Sequence, residues 1–151
     1  LEQGMYDLAI ATKYGPLDKD ADGYRTWVAM YKTAASYWEL DWDKMVYWMK
    51  QVYNMLPGIR DGSNYTPGER LRVGLTALGD GKMKQQDYCA AAEYYNDGLS
   101  IRSDDSLQSK YNDAHNKCVA SQVTPTPNIT SESPIIPGET PIAPMETPLG
   151  P

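Results

Sequence analysis

The distribution of proline sets the first limit on this chain. Eight of its 11 prolines fall between Pro125 and Pro151, whereas every Lys and Arg lies before residue 122. Proline holds φ near about −65° and offers no backbone N–H, so proline at every third or fourth position excludes both helix and sheet. Residues 1–122 must therefore supply the whole core, and residues 123–151 form a separate Pro/Thr-rich tail. Charge divides the same way. The net charge is −6, shared equally between the two parts, and the tail's only charges are Glu132, Glu139 and Glu146.

The tail repeats in sevens: Pro134-Ile135-Ile136-Pro137-Gly138-Glu139-Thr140, then Pro141-Ile142-Ala143-Pro144-Met145-Glu146-Thr147, then Pro148-Leu149-Gly150-Pro151. Such a segment is expected to be extended polyproline II. The last unit stops after four residues and the chain opens on Leu1 without a Met, so both ends read as cuts in a longer precursor.

The body has helical periodicity. Tyr24, Trp27, Val28, Tyr31, Ala34, Ala35 and Trp38 recur at three- and four-residue steps, predicting a helix over 22–39 with Asp22 as its N-cap. A second helix begins at Asp41, carries Trp42, Met45, Val46, Met49, Val52, Tyr53 and Leu56, and stops at Pro57-Gly58. Tyr47 and Trp48 add apolar surface on its other side, as in a helix packed between neighbours or against a partner. A shift of 46 residues lays Asp41, Trp42, Met45, Val46, Met49 and Tyr53 on Asp87, Tyr88, Ala91, Ala92, Tyr95 and Leu99. A backward shift of 36 finds Tyr6, Ala9, Ile10, Lys13 and Leu17. With partner helices at 22–39, about 67–79 and 104–121, the pattern predicts an all-α solenoid of about six helices in three hairpins.

These residues resemble the tetratricopeptide repeat family. Asp41-Trp42-Asp43-Lys44-Met45-Val46, ending at Tyr53-Asn54-Met55-Leu56-Pro57, is similar to the second helix of that repeat. So is Asp87-Tyr88-Cys89-Ala90-Ala91-Ala92 with Tyr95, Gly98 and Leu99, while Leu75-Thr76-Ala77-Leu78-Gly79 is similar to the core of its first helix. The chain departs from the family where Met45 replaces a small Ala, where Ser103 replaces Pro, and in its long spacing. The resemblance implies protein–protein recognition and scaffolding, and brings no catalytic residues.

Cys89 lies 14 residues before a turn near Ser103 and Cys118 lies 15 after it. At a rise of about 1.5 Å per residue, both sit roughly 21–22 Å from the turn on antiparallel helices, close enough for a disulfide. The pairing is expected, and with it an oxidising, extracellular or cell-surface setting.

The remaining chemistry is sparse. An acidic chain argues against nucleic-acid binding, and no apolar run is long enough to span a bilayer. Asp18, Asp20 and Asp22, followed by Gly23, resemble the opening of an EF-hand calcium loop, but the closing Glu position falls on Ala29. A polar interhelix loop is the competing reading. His115 has no partner pattern, and no phosphate loop, nucleophile elbow or framed carboxylate pair is present, so no enzyme activity is expected. Asn128 and Thr130 form a glycosylation sequon, Thr140 and Thr147 are candidate O-glycan acceptors, and Asn64-Tyr65-Thr66 is a poor sequon before Pro67.

Two functional readings follow. In the favoured one the chain is a structural subunit of an extracellular assembly, such as a filament, built from copies of itself. Solenoid faces including Tyr47 and Trp48 would dock, and tail residues Pro134, Ile135, Ile136, Ile142, Met145 and Leu149 would engage an aromatic-lined groove, a neighbour's in preference to its own. In the alternative the solenoid is a surface-tethered module for a peptide or glycan, and the tail is its stalk.

Overall fold

The computed structural model describes residues 2–123; residues 124–151 of the tail lie outside the described residues. Six helices follow one another without a strand among those residues: α1 (Glu2–Ala11), α2 (Lys19–Ser36), α3 (Trp42–Met55), α4 (Pro67–Lys84), α5 (Tyr88–Ile101) and α6 (Asp105–Gln122).

Five of the six begin in the same way. The side-chain oxygen of Asp18, Asp41, Thr66, Asp87 or Asp104 accepts a hydrogen bond from the backbone N–H three residues on. Each cap satisfies one of the donors that a helix start leaves unpaired. At α4 the arrangement is reciprocal: Thr66 accepts from the Glu69 N–H at 3.2 Å while Glu69 accepts from the Thr66 N–H at 2.7 Å. Thr66, the third residue of the poor sequon, is thus occupied as a cap.

The cap of α2 corrects the sequence expectation. The helix starts after Asp18, whose carboxylate accepts from Ala21 N–H at 2.7 Å. Asp22 is already inside the first turn and pairs with Arg25 at 2.6 Å. The helix also ends at Ser36, short of 39, because residues 37–40 turn, with Glu39 at a φ of 60°. α1 stops at Ala11, leaving Lys13 and Leu17 off any helix, and α4 runs past Gly79 to Lys84. α3 and α5 are both 14 residues long and start at Trp42 and Tyr88, so the 46-residue shift holds in three dimensions.

Each helix packs on the next in chain order from α2 to α6, whereas α1 rests lightly on α2. Short links between packed neighbours make successive helices antiparallel, so α2, α4 and α6 share one layer and α3 and α5 the other. Ion pairs tie alternate helices within each layer. Arg72 and Asp80 on α4 reach Asp104 and Lys110 at α6, both at 2.7 Å, and Lys50 on α3 meets Asp97 on α5 at 3.2 Å. This is a helical-repeat arrangement of consecutively packed hairpins.

The main core joins Trp27, Val28, Tyr31 and Ala34 of α2 to Met45, Val46, Met49 and Val52 of α3 and to Leu71 and Leu75 of α4. A smaller cluster of Ala91, Ala92, Tyr95, Leu107 and Ala114 holds α5 to α6. There the Cys89–Cys118 disulfide, with Cα atoms 4.8 Å apart, adds a covalent tie, as the matched depths in the sequence predict. Gln122 Nε2 donates towards both sulfurs, at 3.4 and 3.5 Å.

Two glycines of α4 set the spacing of this stack. A Cβ on Gly74 would overlap the end of Met45 and stand 2.7 Å from Val46 Cγ2. A Cβ on Gly79 would fall into the Tyr95 ring. The absence of a side chain lets α3 and α5 seat closely on either flank of α4. Gly81 has open space around its missing Cβ. Gly79→Ala should therefore lower stability by roughly 1–3 kcal/mol through overpacking, while Gly81→Ala should raise it by about 0.5–1 kcal/mol through helix propensity alone. Urea unfolding of the two variants checks the pair.

Candidate functional site

The densest polar network lies where the α3–α4 link crosses the α2–α4 side of the stack. Asp61 opens a tight turn there and accepts from the backbone N–H groups of Ser63 at 2.8 Å and Tyr65 at 3.0 Å. Asn64 takes the left-handed conformation that closes the turn, at a φ of 66°. Two long-range donors complete the carboxylate shell: the Tyr31 hydroxyl of α2 at 2.5 Å and the Arg70 guanidinium of α4 at 2.8 Å. The Asp61 side chain is 4% exposed. Burial by itself would raise its pKa, but the bonds from Tyr31, the Tyr65 N–H, Arg70 and the Ser63 N–H outweigh that and hold it at about 2. Burial and the bond to Asp61 push Tyr31 up to about 12. Tyr31 therefore stays neutral and Asp61 ionised across the physiological range.

Arg70 has a second role. Its guanidinium lies over the Trp38 ring at 5.0 Å and over the Tyr65 ring at 4.5 Å, one planar cation against two aromatic rings. Trp38 in turn meets Trp42 edge-on at 5.2 Å. Tyr31, Ala35, Trp38, Met49 and Arg70 line a surface groove of about 300 Å³. The site is thus an aromatic trough with a fixed cation in its wall and a saturated carboxylate beneath it.

A related arrangement recurs one hairpin on. The Tyr95 hydroxyl donates to Asp80 at 2.7 Å and Lys110 Nζ binds the same carboxylate at 2.7 Å. Burial, then the Asp80 bond, raises the Tyr95 pKa well above its ordinary value. Asp80 and Lys110 flank a groove of about 400 Å³ between α4 and α6 that Arg72 and Asp104 close at one end. Its cations and carboxylates are already paired with one another, which leaves the α2–α4 trough as the face with more exposed aromatic surface.

The residues singled out in the sequence are scattered. Asp18, Asp20 and Asp22 do not converge: they run along the start of α2 as cap and first turn, and among the described residues no three His, Cys, Asp or Glu side chains gather where they could hold a metal ion. Tyr47 is 60% exposed and meets half-buried Trp48 edge-on at 5.3 Å, on α3 and apart from the trough lining. His115 stacks on Tyr111 at 5.6 Å, a packing role on α6. Pro134, Ile135, Ile136, Ile142, Met145, Leu149, Asn128, Thr130, Thr140 and Thr147 lie outside the described residues. No helix among those residues is long and apolar enough to cross a membrane.

Because the fold depresses the Asp61 pKa, its stabilisation is complete above the ordinary value of 3.8 and is lost as pH falls towards about 2. Asp61→Asn should cost about 2–3 kcal/mol at neutral pH, since it leaves the Arg70 charge without its counter-ion. It should also flatten the loss of stability between about pH 4 and 2. Urea unfolding at pH 7 and pH 3 measures both effects.

Comparison with protein-family models, with curated proteins and with solved structures found no match to this chain.

Proposed function

We propose that this chain is a non-enzymatic, tetratricopeptide-like structural subunit that recognises other copies of itself in an oxidising, extracellular or cell-surface compartment. The observation that carries the reading is the unlikeness of the two ends of the stack. At one end α6 turns an outer face of Ser106, Gln108, Asn112, Asp113, Asn116 and Lys117 to solvent, the polar finish that a solenoid needs where stacking stops. The α1–α2 end sets exposed polar residues such as Gln3, Asp7, Asp22 and Arg25 beside larger apolar surface. Tyr6 and Tyr14 are largely exposed, and Tyr24, Met55, Leu56 and Ile59 line an open depression of about 420 Å³. Apolar surface at the end of a helical stack is covered most economically by the same surface of a second copy, a self-complementary contact. Growth beyond a pair, as a filament requires, calls for another contact on each copy. The Cys89–Cys118 bond supports the compartment, because such a bond persists where thiols are not kept reduced.

Sedimentation of the full chain over a wide concentration range should show reversible self-association, and Met55→Glu, a half-exposed position at the depression, should weaken it at least about tenfold, or roughly 1.4 kcal/mol. A single monomeric species at every concentration would overturn the proposal and leave the tethered binding module in its place. Reduction of Cys89–Cys118 should lower stability by roughly 3–4 kcal/mol, given the 29-residue separation it closes. Thermal melts with and without reductant test this.

A further inference from the structure

We infer that the aromatic trough between α2 and α4 is a seat for the chain's own Pro-rich segment, residues 134–149, folded back on the same molecule. The inference is independent of self-association through the α1–α2 end.

The trough has the attributes that proline-rich ribbons require. Flat rings and a flat guanidinium accept pyrrolidine rings and apolar side chains without losing polar contacts of their own, and aromatic-lined grooves are the general receptors for such segments. Trp38 lines the trough, and Tyr65 stacks on the Arg70 guanidinium in its wall, which the buried Asp61 carboxylate fixes in turn. The polar groups match as well. A polyproline ribbon makes no internal hydrogen bonds, so its carbonyls need outside donors. Among the described residues, the Trp38 indole N–H and the Tyr65 hydroxyl take no hydrogen-bond partner, and both side chains are partly exposed. Both rings that carry these donors lie against the same guanidinium.

Composition selects the occupant. Residues 134–149 carry a proline at every third or fourth position, with Ile135, Ile136, Ile142, Met145 and Leu149 between them. The body has only Pro16, Pro57 and Pro67. The segment bears Glu139 and Glu146 and no cation, so it brings no positive charge against Arg70.

Reach selects the same molecule. An 18-residue helix is about 27 Å long and helices pack about 8–10 Å apart, so the trough lies within roughly 35–40 Å of Val123, where α6 ends. Residues 124–140 can span about 55 Å when extended, at about 3.3 Å per residue, so the second repeat of the segment, from Pro141 on, reaches the trough with length to spare. A tether of that length holds the segment at an effective concentration in the millimolar range, above that of any neighbour in dilute solution.

The test uses the full chain labelled with ¹⁵N, with Trp38→Phe identifying the Trp38 indole signal. In a variant with Ile135, Ile136 and Ile142 replaced by Ser, outside the helical body, the Trp38 indole N–H should shift and exchange with solvent about tenfold faster. Tyr65→Ser, with helicity checked by circular dichroism, should give the same release. Identical Trp38 signals in parent and tail variant would overturn the inference. Release of the signal on hundredfold dilution would also overturn it, and assign the trough to a neighbouring copy's tail.

Discussion

Close approach of three helices at α4 is the contact on which the rest of this structure depends. α3 comes against Gly74 and α5 against Gly79, and at both points a single added carbon would collide with a packed side chain. Because the two seats lie five residues apart along one helix, α4 can carry a neighbour on each flank. The main core on one side and the smaller α5–α6 cluster on the other are both built outwards from it. Dispersion and burial then act over well-fitted surfaces, which is where most of the favourable energy of such a stack resides.

Electrostatics works on top of that packing, and chiefly by position. Arg70, Arg72 and Asp80 all project from α4, and each reaches a partner on another element: Asp61 in the α3–α4 link, Asp104 at the start of α6, and Lys110 further along α6. Exposed pairs of this kind contribute little individually. The exception is Asp61, which is buried, accepts four hydrogen bonds and orients the guanidinium that lies against Trp38 and Tyr65. A helix whose glycines set the packing thus also carries the cations that shape the surface grooves, and structure and recognition share one element. The smaller α5–α6 cluster, made mostly of Ala, gains in the disulfide what it lacks in apolar area.

Features carried by local chemistry were readable in the sequence. The second helix begins at Asp41 and stops before Pro57-Gly58, the last begins at residue 104, and the equal depths of Cys89 and Cys118 place them together. Where the reading failed, local signals pointed both ways. Asp18-Lys19-Asp20-Ala21-Asp22-Gly23 has the alternation of a cation loop, yet Asp18 caps the helix and Gly23 is tolerated within its early turns. Gly79 looked like a helix end because its role, admitting the Tyr95 ring, depends on a residue of another helix. The Tyr31–Asp61–Arg70 network was not legible, since its members are 30 and nine residues apart and only the turn at Asp61-Gly62-Ser63 hints at it. Long-range convergence of that kind leaves no periodic trace.

Native-state hydrogen exchange is the most direct measurement of whether α4 is the element that holds the stack together. If it is, the buried amides around Leu71, Gly74 and Leu75 should open only with global unfolding, while those of α1, which rests lightly on α2, should exchange through local fraying at far lower cost. Amides of α4 that open as readily as those of α1, or an α5–α6 hairpin that outlasts α4, would contradict this account.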